Sequence, residues 1–332
     1  MKKSSICFAG FLLLIFVFSG VKAQKKSSEK NAQASKQIIN IERSEQLQNL
    51  LQSAVDDAFK KFNEQNLKPE ELAATVIDLS GGADNLKMAD FRGEEKIYPA
   101  SVVKMFYMTA LFQQVANGKV KLTPELERGL KEMIGVSSND ATHYIFDVIT
   151  DTSGGAELSP KELEKYAYKK NAVNRYFTSL GYENINVNQK TYCEDIFGRE
   201  RQFWDGGKQR NKLTTNATAK LLTNIALGKA VSGEKSKLMM DLMKREPFTE
   251  SDDKDNQSVG YTGIALKNLG LTDARLWSKA GWTSTSRHDA AYVETPGGLK
   301  FVLVIFTENH ANERNIIPII AEKVIKGLRE IN

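Results

Sequence analysis

Cysteine and histidine are almost missing from this sequence. Its 332 residues hold 2 Cys and 3 His, and His143, His288 and His310 stand far apart along the chain. The first count excludes a disulfide-dense scaffold and a four-thiolate zinc site; the second excludes the short paired-histidine motifs of zinc hydrolases. No metal or other cofactor is expected. Proline is scarce as well, at 7 residues, and the chain is neither collagenous nor disordered overall. Hydrophobic residues at 41% and charged residues at 26% describe a globular body. The one long apolar run near the start, Ile6 to Phe18, is shorter than the ~20 residues a bilayer span needs.

That run reads as part of a leader. Lys2 and Lys3 precede it, and Val21-Lys22-Ala23 places small residues at the −3 and −1 positions of a cleavage site before Gln24. Residues 1–23 are therefore expected to be a signal peptide, the alternative being an uncleaved anchor. Cys7 lies inside the run rather than at the cleavage point, which argues against a lipoprotein. A formal charge of +5 hints at nucleic acid, but the leader carries three lysines and no acid, so cleavage leaves +2. Residues 24–41 open with a Lys/Ser/Gln/Asn tract too polar to bury anything, and read as a flexible linker. Nucleic acid is not an expected partner, and no stable membrane insertion is expected after cleavage. The destination is bacterial export, to the periplasm or the medium. Cys193 would then be the only cysteine left, without a partner for an internal disulfide.

The body, residues 42–332, is periodic. Leu47, Leu50, Leu51, Val55, Phe59 and Phe62 recur at helical spacing. Leu72 to Leu79 and Lys87 to Phe91 predict a hairpin around Ser80-Gly81-Gly82. Val102 to Asn117 predicts a strong helix stopped by Gly118, followed by helices over Glu125–Ile134, Asp140–Ile149, Ser159–Leu180 and Thr215–Leu227. Arg275–Trp282, Asp289–Glu294 and Leu299–Thr307 predict three strands, with a turn at Pro296-Gly297-Gly298, and Glu313–Ile331 a closing helix. Tyr166, Val173 and Phe177 read as core, and Asp252 to Asp255 as a solvated acidic loop. The fold class is α+β, an α/β/α sandwich. One antiparallel sheet is drawn from both chain ends (42–97 and 260–332) and flanked by the terminal helices, with an all-helical lobe (98–259) inserted between. Such a body leaves a cleft at the junction.

Three short motifs carry chemistry. In Ser101-Val102-Val103-Lys104 the Ser and Lys share one helix face, and a lysine of lowered pKa can take the proton of a serine hydroxyl. In Ser137-Ser138-Asn139 the Ser137 hydroxyl suits a proton relay with Lys104, and the Asn139 amide suits a substrate carbonyl. The same residues also fit an ordinary helix N-cap. In Lys279-Ala280-Gly281-Trp282-Thr283 a cation stands on a strand beside a glycine that lets a ligand approach the backbone.

In this order the three motifs resemble those of the class A β-lactamases, and more broadly of the penicillin-recognising serine hydrolases. The likeness runs from about residue 46 to the end and includes Pro99-Ala100 before Ser101, Leu213-Thr214-Thr215 and Glu313-Arg314-Asn315. It implies the β-lactamase/transpeptidase-like fold and hydrolysis of the lactam amide through an acyl-serine on Ser101. Lys104 and Ser137 would move protons, Asn139 would hold the substrate amide, and Lys279 would attract its carboxylate. The backbone N–H groups of Ser101 and Trp282 would form the oxyanion hole, with Gly281 and Thr283 beside them. Glu194 would activate water for deacylation, with Asp195 and Glu200 as neighbouring alternatives, and Arg287 would anchor a carboxylate unless it is a solvated turn residue. The expected partner is a small-molecule β-lactam or related amide or ester, bound by a monomer, with antibiotic resistance or lactam catabolism as the role.

Departures from the family pattern leave two alternatives open. Ser138 stands for the usual Asp, Ala280 for a hydroxyl residue and Gly198 for an Asn near the hydrolytic water. Trp282 is bulky for a pocket position, and the segment 151–204 is expanded. The first alternative is an enzyme of this fold acting on peptidoglycan peptides or another ester or amide; the second is a non-catalytic binding protein.

Overall fold

The computed structural model describes residues 39–192 and 196–332. The leader, the linker as far as residue 38, and Cys193-Glu194-Asp195 lie outside the described residues. A seven-stranded sheet is built from β1 (Ile41–Arg43), β2 (Leu72–Asp78), β3 (Leu86–Phe91), β4 (Lys244–Arg245), β5 (Arg275–Trp282), β6 (Arg287–Glu294) and β7 (Lys300–Thr307), in spatial order β1-β3-β2-β7-β6-β5-β4. The helices are α1 (Glu45–Lys61), α2 (Lys104–Ala116), α3 (Pro124–Gly135), α4 (Asn139–Thr150), α5 (Pro160–Lys170), α6 (Ala172–Ser179), α7 (Gly198–Trp204), α8 (Thr215–Ala226), α9 (Gly233–Met243), α10 (Thr262–Asn268) and α11 (Ile316–Ile331).

Both sheet faces are covered, so the central strands are apolar throughout rather than alternating. On β7, Phe301, Leu303 and Ile305 face a core shared with α1 and α11, while Val302, Val304 and Phe306 face a second core shared with α2 and α8. Helix α1 starts where the Ser44 hydroxyl accepts the Leu47 N–H at 3.3 Å, with Glu45 in its first turn and Lys60 and Lys61 in its last. Its stripe of Leu47, Leu51, Val55 and Ala58 meets Ile317, Ile320, Val324 and Leu328 of α11.

The sheet is mixed, not purely antiparallel: β1 runs parallel to β3, pairing Ile41 with Leu86. This three-residue edge strand takes in Ile41, the last residue of the expected linker, and Ile39 before it is already buried. A strand so short carries too little pattern to be read from sequence. The helix expected over Ser159–Leu180 is two helices. At the break the Asn171 side chain donates to Ala167 O and accepts from Asn174 and Asn188, which competes with helix continuation. Helices α7, α9 and α10 were not anticipated; each is short or weakly patterned.

Lys170 of α5, Asp147 of α4, Glu200 of α7 and Lys190 form a charge cluster. Glu200, 5% exposed, pairs with Lys170 at 2.7 Å and with Lys190 at 3.0 Å, and Lys190 also reaches Asp147 at 2.7 Å. Burial by itself would raise the Glu200 carboxyl, but the two lysines outweigh it and hold it at about 2. Burial brings Lys170 down to about 8 against the pull of Glu200. Removing the shared carboxylate leaves two buried ammonium groups short of a partner. Glu200→Gln is therefore expected to lower the unfolding free energy by about 3–5 kcal/mol near neutral pH. Because the folded-state value is depressed, this contribution is complete above the ordinary carboxyl value of 4.5 and is lost as pH falls towards 2. Chemical denaturation of both proteins across that range should show the difference shrink with acid; equal stability at neutral pH would refute the role.

Candidate active site

The segment before Ser101 is held from the sheet. His288 on β6 accepts the Thr307 N–H at its Nδ1, 3.1 Å, so its Nε2–H donates to the Tyr98 carbonyl at 2.9 Å. Complete burial lowers this imidazole to about 4, which keeps it neutral. Ala100 then takes φ +45°, a left-handed conformation that costs a residue with a Cβ of order 1–3 kcal/mol. The chain enters a 3₁₀ turn over Ala100–Val103 that continues as α2, leaving Ser101 half-buried and Lys104 fully buried one turn on. The Lys104 backbone N–H donates to Ser101 O, which fixes the spacing of the two side chains.

The loop between α3 and α4 closes on Lys104. Its Nζ donates to Ser137 O at 2.5 Å, Ser137 Oγ at 3.2 Å and Asn139 Oδ1 at 2.8 Å. Ser137 is also left-handed, with φ +63°. The capping reading and the functional reading of this loop hold together. Ser138 is the N-cap of α4, its hydroxyl accepting the Ala141 N–H at 3.2 Å, and that cap turns its neighbours Ser137 and Asn139 towards the lysine. A second acceptor contact on Asn139 Oδ1 comes from the Thr191 hydroxyl at 2.8 Å. Two donors on Oδ1 orient the amide and leave Nδ2 as its donor end.

Strand β5 supplies the third side. Lys279 is fully buried and its Nζ donates to Ser137 Oγ at 3.0 Å, Gln257 Oε1 at 2.6 Å and Ala280 O at 2.8 Å. Burial, followed by the charges of Lys104 and Arg245, pushes its ammonium well below the usual lysine range. Beyond the pairing of β4 with Leu276 and Trp277, the outer edge of β5 has no strand partner among the described residues, so its backbone there is open to a ligand. Gly281 faces Ser101. A Cβ at this position would lie 2.7 Å from Pro99 O and 2.8 Å from Ser101 N, distances that leave no room for any side chain.

Ser101, Ser137, Asn139, Thr191, Trp282 and Thr283 line one cleft of about 770 Å³, with Lys104 and Lys279 behind its wall. Trp282 stands 53% exposed at the rim, and the Thr283 hydroxyl caps the turn to β6 by accepting from Thr285 and Ser286.

Arg287 is elsewhere. It is neither a carboxylate anchor at the cleft nor a solvated turn residue. Its guanidinium is 2% exposed, pairs with Asp255 at 2.5 Å, donates to Gly260 O at 2.6 Å and stacks on Tyr261. The alternation of β6 explains this, because Arg287 shares a face with Asp289 and Ala291, which point to the core of the terminal helices. Asp255, expected in a solvated loop, also receives Arg314, and this clamp fixes the segment that carries Gln257. Glu194 and Asp195 lie outside the described residues. Glu200 is committed to the lysine cluster. At Gly198, where an Asn would be expected, φ is +52° and a Cβ would lie 2.0 Å from Gly155 O, so the backbone excludes any side chain.

Sequence reasoning missed Gln257, Thr191 and His288. Gln257 accepts from Lys279 and from Ala280 N at 3.1 Å and donates to Gly135 O at 2.8 Å, joining the sheet to the end of α3. Arg245 makes a parallel link, donating to Ile134 O at 2.9 Å and Ser278 O at 2.8 Å. No local motif marks any of these residues. Each acts through partners distant in sequence.

Comparison with known proteins agrees with this geometry. Residues 42–328 match the β-lactamase enzyme family. No curated protein matches the chain. Among solved structures, the β-lactamase from Sphaerobacter thermophilus superposes with a TM-score of 0.60 at 19% identity, covering 84% of this chain and 98% of that one. A PBP-A mutant captured as an acyl-enzyme with penicillin G gives 0.58 at 20% identity, covering 85% and 97%. A class A β-lactamase from Bacteroides cellulosilyticus gives 0.57 at 16%, covering 86% and 99%. At these identities the structural likeness speaks for the fold, and the family match spans the sheet, the helical lobe and all three motifs: the chain belongs to the β-lactamase enzyme family.

Proposed function

We propose that the protein is an exported serine hydrolase that opens β-lactam amides through an acyl-enzyme on Ser101. The observation that carries this reading is the convergence of Lys104 Nζ and Lys279 Nζ on Ser137 Oγ, at 3.2 and 3.0 Å, in the cleft that Ser101 lines. Ser137 Oγ bridges the two Nζ atoms, so its hydroxyl can pass a proton between Lys104 and the cleft. Acylation starts from the neutral amine of Lys104: Ser101 Oγ attacks the lactam carbonyl as its proton passes to that amine. The Lys104–Ser137 path returns a proton to the departing amide nitrogen. The developing oxyanion takes hydrogen bonds from the backbone N–H of Ser101 and Trp282. Asn139 Nδ2 donates to the acyl-side amide, and Lys279 draws the substrate carboxylate to the open edge of β5. Glu194 activates the hydrolytic water.

A second reading, in which the acyl-enzyme is long-lived and the natural substrate is a peptide or another amide, draws support from Ala280, which brings no hydroxyl to the substrate carboxylate.

Incubation with a chromogenic cephalosporin, followed by absorbance and intact mass, separates these readings. Rapid turnover that falls by at least about 10⁴-fold in Ser101→Ala supports the first. A stable adduct on Ser101 without turnover supports the second, and no adduct with any lactam, ester or activated amide defeats both. Glu194→Gln should accumulate the acyl-enzyme, and unimpaired turnover would remove Glu194 from the mechanism. Gly281→Ala should slow acylation by about 10²–10³-fold while the protein stays folded by circular dichroism, since its Cβ displaces the Ser101 N–H. An unchanged acylation rate would show that this N–H has no part in the reaction.

A further inference from the structure

Next to the cleft lies a second cavity of about 290 Å³, which shares Tyr98 and Tyr192 with it. Its remaining walls include Gln189, Arg201, Trp204 and Arg210. Two features mark it as a place for a ligand rather than a packing gap.

The first is Gln189. Its backbone is fully engaged: the N–H donates to Asn211 Oδ1 at 3.0 Å, and the carbonyl accepts from Asn211 Nδ2 at 2.9 Å and from the Tyr107 hydroxyl. Its side chain is only 4% exposed, yet both amide atoms lack any hydrogen-bond partner. A buried amide without partners costs about 1–3 kcal/mol, so the residue is kept at a penalty that a bound polar group would relieve.

The second is charge. Arg210 Cζ lies over the Tyr98 ring, 4.1 Å from its centroid, which holds the guanidinium at the cavity. The Arg201 side chain makes no ion pair or hydrogen bond among the described residues. Among the described residues, Glu200 is bound to Lys170 and Lys190 and makes no ion pair with either arginine. Two guanidinium forks, an amide NH₂ and aromatic walls suit a planar anion on an apolar stem.

We propose that this cavity is a subsite for a carboxylate borne on the acyl side chain of the substrate, entering past Tyr98 and Tyr192 while the reacting amide lies at Ser101. The inference rests on the acyl-serine reading above, and it concerns which acyl donors that reaction prefers. Charge-assisted hydrogen bonds of this kind are each strong enough for about a tenfold effect or more.

The test compares two lactams identical except that the acyl side chain ends in a free carboxylate or in its methyl ester. For the wild-type protein kcat/KM, or the rate of Ser101 adduct formation where turnover is slow, should favour the carboxylate by at least about tenfold. In the doubly substituted Arg201→Gln, Arg210→Gln protein that ratio should fall to about one. Both arginines are exposed, so the variant is expected to fold, and its thermal unfolding is measured alongside. Equal rates for the two donors in the wild type, or a preference that survives the double substitution, would overturn the subsite. Absence of any adduct with either donor would instead defeat the acyl-serine reading. The subsite then stands or falls on direct binding of the free side-chain diacid. Quenching of tryptophan fluorescence that is present in the wild type but lost in both Trp204→Phe and the double variant upholds it, and no quenching overturns it.

Discussion

Two buried lysines share one hydroxyl, and the rest of the cleft is arranged around that fact. Lys104 and Lys279 are both fully shielded from water, and each places its ammonium about 3 Å from Ser137 Oγ. Like charges brought together in a low-dielectric interior repel strongly, and burial penalises each as well. Among the described residues, oriented neutral oxygens meet both. Carbonyls of Ser137 and Ala280 and the side-chain amides of Asn139 and Gln257 surround the two Nζ atoms. These dipoles help hold the two Nζ atoms in place, while burial pushes the Lys279 ammonium well below the usual lysine range.

Holding that arrangement imposes strain elsewhere. Ala100, just before Ser101, and Ser137, which carries the shared hydroxyl, both sit in left-handed backbone conformations. Such residues persist only when surrounding contacts over-determine them. Here His288 fixes Tyr98 from the sheet, Ser138 caps α4, and Gln257 and Arg245 tie β5 to the end of α3. The clamp of Arg287 and Arg314 on Asp255 then secures the loop that brings Gln257 to Lys279. Arg287 thus reaches the cleft only through this chain of contacts.

Much of the architecture was legible in the sequence because both faces of the sheet are buried and the terminal helices carry wide apolar stripes. The strands Arg275–Trp282, Arg287–Glu294 and Lys300–Thr307 stand within two residues of the expected bounds. What was not legible falls into two kinds. Short elements such as β1, α7 and α10 hold too few residues for a period to emerge. The break at Asn171 depends on side-chain hydrogen bonds to Asn174 and Asn188, which helical spacing does not register.

The sequence by itself determined the inventory of the cleft: a serine and a lysine one helical turn apart, a Ser-Ser-Asn loop between two helices, and a lysine two residues before a glycine on a strand. Local spacing dictates each of these, because three residues make a helical turn and alternate residues share a strand face. Only the tertiary structure decided that Lys104 and Lys279 meet at one oxygen, that Gln257 and Thr191 join them, and that Arg287 points away. Those relations join residues 22 to 142 positions apart. They exist only once the helical lobe has closed on the edge of β5.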